Sequence, residues 1–160
     1  MVVVIVGGSA VTMQEWQDDA SAILYNWYSG EAGGLALANI LSGKVNPSGK
    51  LPFTIPQHEG QLPLSYWHEA TGRGDDYVNG SGEPLYPFGY GLSYTKFEYS
   101  QFKIEQNTFS LPNGKDTLEF SFLVQNIGPF DGAEAIQFYI KPIYSKETLP
   151  VQYLIDTKKV

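Results

Sequence analysis

The 160 residues set 17 Asp and Glu against 10 Lys and Arg, and the formal charge of −7 excludes a nucleic-acid backbone as partner. There is no cysteine, which excludes thiol catalysis, disulfides and cysteine-ligated metals, and Arg73 is the one arginine, which excludes an arginine clamp for phosphate. Hydrophobic residues make up 42% of the chain, enough for a packed core, yet no apolar run approaches the roughly 20 residues of a membrane span.

In chain order, Val2–Val6 is a β-branched run closed by Gly7-Gly8, the pattern of a parallel strand covered on both faces. It lacks the basic start of a signal peptide, and a buried strand at the first residue implies a piece of something longer. Ala22–Tyr28 predicts a second strand. The glycine-rich turn Ser29–Gly34 then leads into LALANILSG, a predicted helix whose face is Gly34, Leu37, Ala38 and Leu41, with Gly43 at its C′ position. This order is α/β. The GEAGG turn lacks the G-x-G-x-x-G order and a Walker lysine, so its glycines are read as permitting close helix packing, with Glu31 favourable at the helix N-terminus.

Asn46–Pro52 is a turn with proline near each end, and Phe53–Ile55 predicts a short strand stopped by Pro56. From Gln57 to Gly82 periodicity vanishes, and a loop of this length in a compact domain is functional or flexible. His58 and His68 match no metal-ligand spacing, so no metal is expected, and Asp75-Asp76 lacks the spacing of a calcium loop. Trp67 and Tyr77 are amphipathic aromatics of the kind sugars stack on, and Arg73 and Asp75 can hydrogen-bond hydroxyls. The same side chains serve equally well as braces between two units, and both readings stay open.

Pro84–Thr95, PLYPFGYGLSYT, combines fixed prolines, permissive glycines and four aromatic rings, which predicts an ordered connector. Beyond it the texture changes to alternation. Tyr94, Phe97, Tyr99, Phe102 and Ile104 mark one extended run, Leu118 to Gln125 a second, and Ala135 to Ile140 a third, with turns at Asn113-Gly114 and Asp131-Gly132. The rhythm is that of an antiparallel β-sandwich, for which about seven strands are needed. Ser93–Val160 holds part of that number, and no closing strand is expected before Val160.

Three stretches carry a family resemblance: WYSGEAGGLALANILSG with NPSGKLPFTIP, PLYPFGYGLSYTKFEYS, and VQNIGPFDGAEAIQFYI with LPVQYL. In this order they resemble the C-terminal part of glycoside hydrolase family 3, the β-glucosidase and β-xylosidase family. The resemblance implies an α/β fold followed by an all-β one: the C-terminal part of an α/β sandwich domain over 1–83, a rigid connector over 84–95, and a truncated fibronectin type III-like domain over 96–160. Tyr28-Ser29-Gly30 departs from the Tyr-Pro-Gly common in the family.

Retaining glycosidases need two carboxyl groups, one as nucleophile and one as acid/base. The resemblance places the nucleophilic aspartate in a missing N-terminal barrel and the acid/base glutamate upstream of Val2, so no catalytic residue is expected in this chain. It implies a parent enzyme that removes terminal β-D-glucosyl or xylosyl residues from oligosaccharides or glycosides without a cofactor. By the same analogy the location is periplasmic or secreted. Trp67, Arg73, Asp75 and Tyr77 are the candidate substrate contacts. The alternative is a non-catalytic carbohydrate-binding or structural β-sandwich module.

Overall fold

The computed structural model describes residues 1–70, 80–104 and 119–160. Strand β1 (Val2–Ile5) pairs in parallel with β2 (Ala22–Tyr25), Val2 opposite Ala22 and Ile5 opposite Tyr25. The crossover between them carries Met13 into the core and a single 3-10 turn at Gln17–Asp19. β-Branched and aliphatic side chains favour this pleated, part-covered surface. Coverage is incomplete, however: Ile5 is buried while Val2 and Val6 stay exposed, so the expectation of a strand sealed on both faces does not hold within these residues. Strand β2 stops at Tyr25, short of the predicted Tyr28, because Trp27 takes a left-handed backbone (φ 51°) that cannot continue a pleat. Its ring packs between Tyr25, at 4.6 Å, and Phe53, at 5.2 Å.

Helix α1 spans Gly33–Leu41. Gly43 adopts φ 74° and its N–H reaches the Ile40 carbonyl at 2.9 Å, the glycine C′ stop expected from the sequence. The inward face differs from the predicted one. Gly33, Leu37 and Ile40 turn inward, whereas Gly34, Ala38 and Leu41 are exposed. Gly33 sets this rotation, because a Cβ there would overlap the Ser29 side chain, while nothing lies close to Gly34. Glu31 sits exposed just outside the first turn.

Phe53–Ile55 does not form a strand. Pro52 and Pro56 remove the flanking donors, and what remains is one antiparallel bridge, Ile55 to Tyr86. That bridge matters to the core all the same. Ile55, 1% exposed, joins Ile5 and Met13 at its centre, with Val3, Trp16, Ile23, Leu51, Phe53, Leu85 and Tyr86 packed around them.

Apart from a 3-10 turn at Glu59–Gln61, the remaining elements are strands. β3 (Phe97–Ile104) pairs antiparallel with β4 (Phe120–Asn126), and β5 (Ala135–Ile140) pairs antiparallel with β6 (Tyr153–Lys159). Strand β6 corrects the expectation that no closing strand precedes Val160. Strand β4 alternates as predicted, with Phe120, Phe122 and Val124 half-buried and Ser121, Leu123 and Gln125 exposed. In β3 a bulge lies between Ser100 and Lys103, with Gln101 at φ 55°. The extra residue puts Tyr99 and Phe102, which an unbroken pleat would send to opposite faces, beside Phe122 and Phe120 on one face. The two pairs meet through Phe138 of β5, whose ring lies 5.5 Å from Phe120 and 6.0 Å from Phe122. The described chain thus has one α-helix and mostly strands, in sheets of two. The predicted turn at Asn113-Gly114 falls outside the described residues.

Candidate functional site

The connector is bonded chiefly to the segment before the long loop. Ile55 and Tyr86 exchange backbone hydrogen bonds, the Leu51 N–H donates to Tyr90 O at 2.8 Å, and the Gly89 N–H donates to Leu51 O at 2.8 Å. Leu85 and Tyr86 enter the first core, and the Tyr86 hydroxyl donates to Gln17 Oε1 at 2.6 Å. Tyr94 lays its hydroxyl on the Ile40 carbonyl at 3.0 Å, a second donor to the acceptor that the Gly43 N–H already meets at the end of α1.

Two polar clusters tie this unit to the later strands. Asn46 is the hub of the first: its Oδ1 accepts from the Ser93 hydroxyl at 3.0 Å and from the Tyr94 N–H at 2.9 Å, and its Nδ2 donates to Asp131 O at 3.3 Å. Gly132 leaves room for it, since a Cβ there would overlap the Asn46 amide. Beside it, buried Thr95 donates to Asn126 Oδ1 at 2.6 Å, and a Cβ on Gly128 would overlap the Thr95 hydroxyl.

The second cluster runs from Lys50 to Tyr99. Lys50 Nζ lies 3.5 Å from Glu134 Oε1, with both side chains largely buried, and donates to Gly91 O at 3.2 Å. The Tyr99 hydroxyl donates to the same Glu134 oxygen at 3.0 Å. Desolvation, then the hydrogen bond to Glu134 and its charge, push the Tyr99 phenol up to about 12. An ion pair with this much burial is helped by the further hydrogen bonds that Lys50 makes to Gly91 O and Glu134 accepts from Tyr99.

The long loop starts from a closed base. Gln61, fully buried, accepts from the Gln57 N–H at 2.6 Å and donates to Ser81 O and Glu83 O, while Gln57 Nε2 donates to Glu83 O. Further along, Tyr66 stacks on Phe88 with ring centroids 4.1 Å apart, and presents an edge to Tyr139 of β5. The Val151 N–H donates to His68 O at 2.9 Å, and Glu69 bridges Pro150. The His68 ring Nδ1 lies 2.8 Å from Ser65 O and therefore donates. The described part of the loop braces the connector against β5 and the approach to β6.

Of the four sequence candidates, Trp67 lies here, 56% exposed, while Arg73, Asp75 and Tyr77 fall outside the described residues. His58 is exposed, and no group of three or more His, Asp or Glu among the described residues is placed to hold a metal ion. Sequence reasoning missed Asn46, Lys50, Gln61, Tyr99 and Glu134. For Asn46, Lys50, Gln61 and Glu134 the only signal was polarity near proline or glycine, and Tyr99 was legible only as a member of an extended run, because their partners are remote in the chain.

A family model for the glycosyl hydrolase family 3 C-terminal domain matches residues 1–94. A β-glucosidase of Bacteroides ovatus is 39% identical, and the similarity covers 100% of this chain and 23% of that protein. A periplasmic β-glucosidase of Salmonella typhimurium (37%) and a β-xylosidase of Formosa agariphila (36%) are also matched over 100% of this chain and 22% of their own length. Among solved structures, a β-glucosidase from Erythrobacter marinus superposes with a TM-score of 0.91 at 40% identity, covering 99% of this chain and 21% of that one. A β-glucosidase from Listeria innocua gives 0.89 at 32% identity, covering 99% and 23%. The chain therefore spans less than a quarter of the length of these relatives.

Proposed function

The chain belongs to glycosyl hydrolase family 3, through its C-terminal domain, and from that premise we propose that it is the non-catalytic C-terminal part of a β-glucosidase-like hydrolase. The parent removes terminal β-D-glucosyl or xylosyl residues by double displacement, with its nucleophilic aspartate and acid/base glutamate outside these residues. The observation that carries this reading is similarity over the whole chain to enzymes named as β-glucosidases and β-xylosidases.

In this reading 1–83 completes an α/β sandwich domain, 84–95 is the connector, and 96–160 belongs to a fibronectin type III-like domain. The backbone bonds between Leu51–Ile55 and the connector support treating the connector as part of the first unit's scaffold. The facing of β3–β4 and β5–β6 through Phe120, Phe122 and Phe138 supports a sandwich. Location outside the cytoplasm, periplasmic or secreted, rests on family analogy.

The test is an assay of full-length protein and of this chain alone on p-nitrophenyl β-glucoside and β-xyloside. Turnover by the full-length protein and none by the chain is expected. Hydrolysis by the isolated chain that a single acid-to-amide change abolishes would sink the reading.

A further inference from the structure

Trp67 is an indole left largely in water by a backbone that is fixed around it. Its neighbour Tyr66 points the other way and is held between Phe88, stacked at 4.1 Å, and Tyr139, edge-on at 6.3 Å. The following two residues are pinned to the second half, His68 O by the Val151 N–H and Glu69 by its bridge to Pro150. On the preceding side the Trp67 N–H reaches the Ser65 hydroxyl at 3.4 Å, and buried Gln61 closes the base of the loop. Elements from both halves of the chain therefore fix the backbone on either side of Trp67, whose side chain is 56% exposed within this chain.

Exposing a tryptophan forfeits hydrophobic free energy that burial would supply. A backbone already fixed on either side of it lowers the ordering cost that a ligand would otherwise meet on binding. The formal charge of −7 discourages an anionic ligand. A β-linked pyranose suits the site, because its equatorial hydroxyls leave an apolar C–H face that lies flat on an indole while the rim stays hydrated. We infer that Trp67 is a stacking platform for a sugar unit of the substrate, with Tyr66 as the positioning residue that holds it. This rests on the hydrolase reading above for its choice of ligand.

The experiment uses the full-length protein labelled with fluorotryptophan, the Trp67 signal being assigned by its loss in Trp67→Phe. On titration with cellobiose and with xylobiose, the Trp67 signal is expected to shift while those of Trp16 and Trp27 stay in place. Trp67→Ala should raise KM for the disaccharide about tenfold, as expected for loss of one aromatic contact. Tyr66→Ala should reproduce part of that rise and Tyr66→Phe should rescue it.

A stationary Trp67 signal, or an unchanged KM in Trp67→Ala, overturns the platform. So does a Trp67→Ala protein that melts earlier with its KM intact, which would make the indole a packing residue. Turnover of the aryl glucoside without a Trp67 response removes the platform and keeps the hydrolase. A Trp67 response without turnover does the reverse.

Discussion

The two halves of the chain hold themselves together by different means. The first has a small aliphatic centre, Ile5, Met13 and Ile55, sealed by rings and by two connector residues, Leu85 and Tyr86. The second is a ladder of rings, Tyr99, Phe122, Phe120 and Phe102 with Phe138 across from them, and Tyr99 and Phe102 remain half exposed or more. Ile136 and Thr95 are the buried residues of that region among those described. A ring ladder open on one side buries less area per residue than a closed aliphatic centre. The second half therefore draws part of its order from the polar clusters around Asn46 and Glu134, which join it to the first.

The largest effect that sharpens this contrast is expected at Ile55. Ile55→Ala empties the centre of the first core and should cost about 2–5 kcal/mol. Because the connector bonds to the same residue, both halves should lose structure in one thermal transition, followed by near-ultraviolet circular dichroism. Two separated transitions would show that the halves are independent.

Asn46→Ala removes three hydrogen bonds and leaves the Tyr94 N–H without its acceptor, at a cost of about 2–3 kcal/mol. Here hydrogen exchange should speed up in β3 to β6 and stay slow in β1, β2 and α1. Uniform acceleration across both halves would break the comparison.

The smallest effect is one of pH. The folded state holds Tyr99 near 12 against an ordinary 10, so its neutral phenol contributes stability that is complete below about pH 10 and is lost as pH rises towards 12. Glu134→Gln removes the negative charge beside the phenol, and the Tyr99 phenolate should then form at lower pH. Phenolate absorbance, with Tyr99→Phe as the blank, reads this directly. An unmoved titration would mean that desolvation alone sets the shift.

The parts of the molecule legible in the sequence are those with local causes. The β-branched run at Val2–Ile5, the glycine after α1 and the alternation of β4 each state their structure within a few residues. Strand β6 did not, because Tyr153–Lys159 is apolar only at its start and its charged end is exposed, so no period appears. The parity of β3 was illegible because a bulge, invisible in composition, resets it at Gln101. The face of α1 depended on Gly33 meeting Ser29, which periodicity alone cannot supply. The polar clusters were hidden by distance, Asn46 and Asp131 being 85 positions apart. Of the candidate site, the exposed aromatic character of Trp67 was readable, and its mounting by Tyr66, Val151 and Pro150 was not.

Strand β5 has a consequence for how the chain avoids folding incorrectly. Of its even-numbered residues, Ile136 is buried and Phe138 enters the ring ladder, while Gln137 and Tyr139 face the connector at Gly89, whose backbone turn leaves no space for a side chain there. A slip of one residue against β6 would drive an amide among phenylalanines and, at the same time, a phenyl ring against the connector. A strand with one wet face is checked once for such an error, but β5 is checked on both faces. It is thus the element able to dictate alignment to β6, whose own exposed and charged length carries little instruction.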